Sequence, residues 1–262
     1  MITGFDFNQS EQHLLSIRLS ADGFSFSIHH SHTDGVRYFM PFTINPSYSM
    51  TANLKEMIAS SEALKHTYKQ VNVLIDTPRF TQIPFDLFED ELQEELFYHN
   101  FPAKDNETVL CNILGKSNTA VLFGMDKHTH QLLGETFPNV RIYAGICPLT
   151  EYFTQESRPS NCRNLYVHLR QDTMEVFGLD RGKLLLVNTF PCKQVSDQVY
   201  YLLYIWQQLG FNQENDRLHL AGDIQGKEAL LEELRKFLRQ VSVIQNLIPE
   251  LPFDMQTLLI CE

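Results

Sequence analysis

The sequence predicts an α/β protein made of two similar halves with mixed sheets, on three observations. Segments that read as β-β-β-α-β-α occur twice along the 262 residues. A composition of 43% hydrophobic and 20% charged residues supplies ample apolar material for a sizeable core. Turn chemistry at Arg158-Pro159-Ser160 separates the repeats. The expected halves are residues 1–158, with a middle insertion at about 85–145, and residues 159–262.

The first half opens with three strand-like runs. Residues 13–19 (HLLSIRL) end at Ser20-Ala21-Asp22-Gly23, a turn cluster with glycine placed for positive φ. Residues 24–29 (FSFSIH) alternate apolar and polar side chains, the period of a half-buried strand. Residues 36–44 complete an antiparallel meander in which Pro41 marks an edge or bulge. A helix is expected over 51–69, with Leu54, Ile58 and Leu64 apolar and Ser49 or Thr51 as its cap. Residues 71–75 (VNVLI) form a short buried strand that ends at Asp76-Thr77-Pro78.

The second half repeats this order. Strands are expected over 165–170, 173–179 and 183–190, with turns at Gln171-Asp172 and Asp180-Arg181-Gly182. A helix over 196–209 closes on Gly210, and 218–221 (LHLA) is the buried strand after it. Residues 227–241 form an amphipathic helix with Leu230, Leu231, Leu234, Phe237 and Leu238 on one face. Between the halves, strands are expected over 108–114, 119–125 and 140–143, and a helix over 127–133.

A net charge of -11 with no basic run argues against a nucleic-acid partner, whose phosphates demand clustered Lys and Arg. No apolar stretch approaches the roughly 20 residues of a membrane span. Met1 leads into no signal-like segment. Cys111, Cys147, Cys162, Cys192 and Cys261 are odd in number, scattered and free of C-x-x-C, so they read as reduced thiols in a cytoplasmic protein.

The twice-occurring β-β-β-α-β-α unit resembles the ground plan of the actin, Hsp70 and sugar-kinase superfamily. The chain is similar to an uncharacterised bacterial family with an actin-like ATPase fold, and more distantly to actin-like proteins of pilus assembly and type II secretion. The resemblance rests on order of elements rather than identity and covers nearly the whole length. It implies duplicated actin-like (ribonuclease H-like) halves.

In that superfamily each phosphate motif is a strand ending in Asp, a small or glycine-rich turn and a second strand. The Asp holds hydrated magnesium, and glycines let backbone N–H groups approach phosphate oxygens. Here Arg18 occupies the first Asp position, before Leu19-Ser20-Ala21-Asp22-Gly23. His168 occupies the second, and the turn Arg170-Gln171-Asp172 has no glycine. Thr173 and Glu175 loosely match the Thr and Asp that follow. Leu218-His219-Leu220-Ala221-Gly222-Asp223 resembles the adenosine motif but keeps one glycine of its pair, and a plain strand-to-helix turn explains that glycine as well. The resemblance thus implies a degenerate nucleotide cleft at Ser20, Asp22, Gly23, Gln171, Asp172, Thr173, Gly222 and Asp223, with no catalytic residue, metal or cofactor retained.

Other clusters have bland readings. His29, His30, His32 and Asp34 include two histidines that would share a strand face, yet a polar hairpin tip accounts for them. Asp126, His128 and His130 splay apart if they lie on a helix. Cys147 precedes a helix start, where a thiol pKa is lowered, but its apolar neighbours suggest inert packing. The string Pro78–Phe88 carries two prolines and three phenylalanines. It either forms a partner-binding surface or plugs the core, and the frequency of buried Phe favours the core. The acidic helix expected over 89–97 reads as a solvated face.

Two functions compete. One is a non-catalytic scaffold or protein-binding module that binds another protein or itself. The other is an ATPase or sugar-kinase-like phosphotransferase that uses ATP and magnesium, with Asp22, Asp172 or Glu175 as relocated acids. Loss of both magnesium-holding acids favours the first.

Overall fold

A computed structural model describes residues 7–30, 36–224 and 226–261. In chain order the elements are β1 (His13–Ser20), β2 (Gly23–His30), β3 (Val36–Phe42), α1 (Met50–Ser60), β4 (Gln70–Ile75), β5 (Phe80–Pro84) and α2 (Gln93–Asn100). Then come β6 (Glu107–Leu114), β7 (Thr119–Asp126), α3 (Lys127–Thr136), β8 (Val140–Ala144) and α4 (Ile146–Ser157). The last stretch holds β9 (Arg163–Leu169), β10 (Thr173–Asp180), β11 (Lys183–Pro191), α5 (Val195–Gln208), β12 (Arg217–Gly222), α6 (Glu228–Arg235), β13 (Val241–Val243) and α7 (Phe253–Cys261). One compact unit holds the described residues through Leu114 together with Asn118–Cys147. The other holds Gly115–Ser117 and Pro148–Cys261.

The first unit carries a five-stranded sheet of order β3-β2-β1-β4-β8, and the second one of order β11-β10-β9-β12-β13. The strand senses match as well. β1 runs antiparallel to β2 and parallel to β4, as β9 does to β10 and β12. β8 and β13 each add a parallel strand at the edge. The duplication is therefore a repeated sheet topology.

Each first strand is central in its sheet and is buried on both faces. In β1, Leu15, Ile17 and Leu19 join Leu54 and Met57 of α1 and Leu133 of α3 in one cluster. Alternation sends Ser16, Arg18 and Ser20 to the opposite face, and these are buried too. In β9, Leu165, Val167 and Leu169 pack with Leu202 and Trp206 of α5 and with Leu230 and Leu234 of α6. On the other face, Tyr166 of β9 stacks on Phe153 of α4 at 4.6 Å, and His168 lies against Phe253 of α7.

The middle region divides. β5, β7 and β6 form a small antiparallel sheet covered by α2, whereas β8 pairs with β4 in the main sheet. Asn112 of β6 serves the outer edge of β8: its amide donates to Ile142 O at 2.9 Å and accepts from Ala144 N at 3.0 Å. Arg79 anchors the same region, gripping Glu107 with two bonds of 2.7 Å.

Four sequence expectations need correction. Helix α1 stops at Ser60, because Ser61 is extended, and Glu62–Lys65 form a separate 3₁₀ turn; the expected cap Ser49 does accept from Ala52 N. Helix α6 ends at Arg235, since Val241–Val243 pair with β12 and need extended backbone. Phe237 is accordingly 48% exposed rather than on the packed face. The acidic segment divides: Asp90–Leu92 form a short 3₁₀ turn, and only from Gln93, with Glu94 and Glu95 in its first turn, is the chain α-helical as α2. The proline-bounded string is an edge strand and a 3₁₀ turn; Ile83 and Phe88 pack on the small sheet's core as expected, but Phe85 and Leu87 are exposed.

Candidate functional site

The hairpins that open the two sheets can be matched position by position. Arg18 lies opposite Ser25 on β2 and beside Leu74 on β4. His168 lies opposite Glu175 on β10 and beside Ala221 on β12. Arg18 and His168 are thus equivalent places in the two sheets, as are Ser20 and Arg170, Asp22 and Asp172, and Gly23 and Thr173. After the fourth strand, Asp76 N donates to Leu19 O at 3.0 Å, and Asp223 N donates to Leu169 O at 2.8 Å.

In the first hairpin the Arg18 guanidinium donates to both carboxylate oxygens of Asp22, at 3.0 and 3.3 Å. Ser20 Oγ donates to Asp76 Oδ2 at 3.0 Å. Gly23 sits at φ 142, the turn conformation its sequence position suggested. Ser20, Asp22 and Gly23 are thereby gathered with Arg18 and Asp76. Asp76, which the sequence marks only as a strand terminator, is the member that reasoning from motifs missed. Its signal is the shared place with Asp223.

In the second hairpin the His168 ring nitrogen Nδ1 donates to Glu175 Oε2 at 2.6 Å, and both side chains are buried. Arg170 Nη1 stands 3.8 Å from the other oxygen of Glu175. Gln171 and Asp172 are exposed in the turn, and Asp172 pairs with Lys193 at 3.0 Å. Gly222 has φ +86, and a Cβ there would stand 2.4 Å from Leu169 O and 2.6 Å from His168 Cδ2. The glycine of the adenosine-like motif therefore has a packing reason: it makes room for His168.

A family model described as protein of unknown function (DUF3822) matches residues 3–241. The chain belongs to the DUF3822 family. A Bacteroides thetaiotaomicron protein with actin-like ATPase fold and unknown function is 46% identical, with a TM-score of 0.92 over 99% of this chain and 100% of that one. The PilM-PilN type IV pilus biogenesis complex matches at 11% identity and TM-score 0.59, covering 88% of each chain, which is a likeness of fold alone. No curated protein matches. The fold of this DUF3822 chain is actin-like.

The remaining candidates of the DUF3822 chain resolve into structural roles. Asp126 caps α3, accepting from Thr129 N at 2.8 Å, and His128 Nδ1 bonds Asn106 at 2.9 Å. Hydrogen bonds from Thr129 and Thr51 outweigh burial and hold the Asp126 carboxyl below its usual range. Cys147 is buried at the start of α4 and its thiol donates to Asn112 Oδ1 at 3.3 Å. His29 is buried and His30 lies 5.0 Å from the His13 ring, while His32 and Asp34 fall outside the described residues. Among the described residues no three His, Cys, Asp or Glu side chains converge as a metal site, and no helix is long and apolar enough to cross a membrane.

A cavity of about 300 Å³ in the first unit is lined by Ile58, Leu64, His66, Tyr68, Val71 and Phe137. It meets β4 at Val71, near the start of that strand, whereas ligands of open α/β sheets bind beyond the strands' carboxyl ends. Its polar groups are already engaged: Tyr68 Oη donates to Ala63 O at 2.7 Å, and His66 stacks on Phe7 at 5.3 Å.

Proposed function

We propose that this DUF3822 protein is a non-catalytic, actin-like binding module of the cytoplasm, acting on another protein or on a second copy of itself. The observation that carries this reading is the fate of the two places where the superfamily keeps its magnesium-holding acids. One holds a guanidinium tied to Asp22, and the other an imidazole tied to Glu175. The Arg18 guanidinium at the first of these places opposes magnesium by direct repulsion. The nearby acids that would relocate the metal are committed to Arg18 and His168 or, for Asp172, to Lys193. Without a metal, the charge neutralisation on which phosphoryl transfer depends is lost.

Titration calorimetry with Mg·ATP, alongside phosphate release, tests the reading. The expected result is no heat at micromolar nucleotide and no turnover. Micromolar, magnesium-dependent binding with hydrolysis would overturn it in favour of a working ATPase. Binding without hydrolysis would remove the degenerate-site part and leave a nucleotide-sensing module.

A further inference from the structure

The small sheet β5-β7-β6 leaves part of one face uncovered. Registers place Cys111 and Thr81 beside Leu122, and Ile113 and Ile83 beside Ala120, so these side chains share a face. Helix α2 covers one end of it, where Phe97, Val109 and Leu122 are buried with Ile83, Phe88 and Cys111 against them. Towards the other end Ile113 is 51% exposed. Phe85, whose N–H continues the β5 pairing to Asn118 O, is 45% exposed, and Leu87 just after it is 72% exposed. Leu92, at the end of the connection to α2, is exposed as well.

Carboxylates follow Leu87 and flank Leu92 along the chain, a stretch tied to β6 where Gln93 Nε2 donates to Val109 O at 3.4 Å. Glu89, Asp90, Glu91, Glu94 and Glu95 are all exposed, and residues 80–98 contain no Lys or Arg. Among the described residues no Lys or Arg lies within ion-pairing distance of any of the five. Burial, and then the charge of Asp90, push the Cys111 thiol up to about 11. Arg79, the cation just before β5, is already locked on Glu107 and stacked over Phe97 and Phe101. An apolar centre inside a charged rim is the anatomy of a protein interface.

We propose that Phe85, Leu87, Leu92 and Ile113 form a docking surface for a basic polypeptide segment with apolar anchors, held by these carboxylates. The proposal deepens the binding role above and rests on it. Charge selects the occupant. A twofold contact between copies would set this patch against itself and oppose acid to acid. An anionic bilayer or a nucleic acid would be repelled.

The test is fluorescence anisotropy of a labelled amphipathic peptide of leucine and lysine against the full chain. Saturable binding is expected, weakening as salt rises. Leu87→Ser with Phe85→Ser should weaken it about tenfold or more, as loss of apolar anchors does. Neutralising Glu89, Asp90, Glu91, Glu94 and Glu95 to Gln or Asn should do the same. Neutralising the exposed Glu11, Glu56, Glu228, Glu232 and Glu250 should not. Equal loss in the two charge variants, or no loss in the serine variant, would overturn the proposal, as would no binding at all. So would dimerisation, or binding to phosphatidylserine vesicles, that Leu87→Ser abolishes. Nucleotide calorimetry reads a different part of the molecule, so either proposal can fail without the other.

Discussion

In the first hairpin Arg18 reaches along its own chain to Asp22, around a turn that is partly open to water; in the second, His168 meets Glu175 straight across the strand pair, in the interior. The difference lies at one equivalent position. The residue opposite Arg18 is Ser25, which carries no charge, whereas the residue opposite His168 is Glu175. A buried polar side chain at this place must find a partner, and each half finds it where its own cross-strand neighbour allows. Two copies of one topology thus hold different partners at the same place, a turn acid four residues on for Arg18 and a cross-strand acid for His168.

The largest effect is expected where the second route is cut. Glu175→Ala would remove the buried carboxylate that His168 bonds and Arg170 faces, and should cost about 3–5 kcal/mol in urea unfolding, with Glu175→Gln recovering part. A loss below about 1 kcal/mol would show that the pair is not buried as described.

Gly222→Ala comes next, at about 2–4 kcal/mol, since it combines positive φ with a Cβ driven into Leu169 O. The same change at Gly23 should cost less, because the nearest atom there, Phe42 O, is 3.7 Å away. Equal losses by thermal melting would contradict the close approach of His168 to Gly222.

A third contrast is read by pH. His219 on β12 stacks on Tyr166 at 4.7 Å and is pushed down to about 4 by burial, with the charge of Arg217 adding to it. The first half holds Asn72 and Ser16 at those places, neither of which titrates. The folded state keeps His219 neutral while the unfolded chain protonates below its ordinary value near 6.5. Stability should therefore fall as pH drops from about 6.5 towards about 4. His219→Gln should flatten the unfolding midpoint across that window, and an unchanged slope would exclude the histidine as its source.

The smallest effects belong to the turn acids. Asp22→Asn should cost about 1 kcal/mol, since its partner Arg18 is buried but Asp22 itself is partly exposed. Asp172→Asn should stay within about 0.5 kcal/mol, because its pair with Lys193 is exposed on both sides. Chemical denaturation of the two variants side by side would rank them, and a larger loss at Asp172 would reverse the reading of which turn carries structure.

Much of this was legible because strands announce themselves by alternation. Residues 24–29 read as a strand from period two, and the turn before them from Asp22 and Gly23. Helix α7 was not legible. Asp254, Gln256 and Thr257 are buried along with Phe253, Met255 and Leu258, so no polar face marks a period. Its polar groups are satisfied locally instead: Gln256 Oε1 accepts from Leu247 N and Ile248 N, while its Nε2 donates to Leu251 O. Strand β5 was hidden by its flanking prolines, which suit an edge strand.

The sequence by itself determined the duplicated order of elements and the actin-like likeness, and it put Arg18 and His168 just before the two turns. Those are properties of local pattern, carried by periodicity and by residue identity at a turn. Only the tertiary structure decided which acid each of these side chains meets. Asp22 is four residues from Arg18, but Glu175 reaches His168 only through strand register, and Gly222 reaches it only through the parallel pairing of β12 with β9. Burial is likewise a property of what lies on top of a residue, which is why Phe85 and Leu87 are exposed in a string whose composition reads as core.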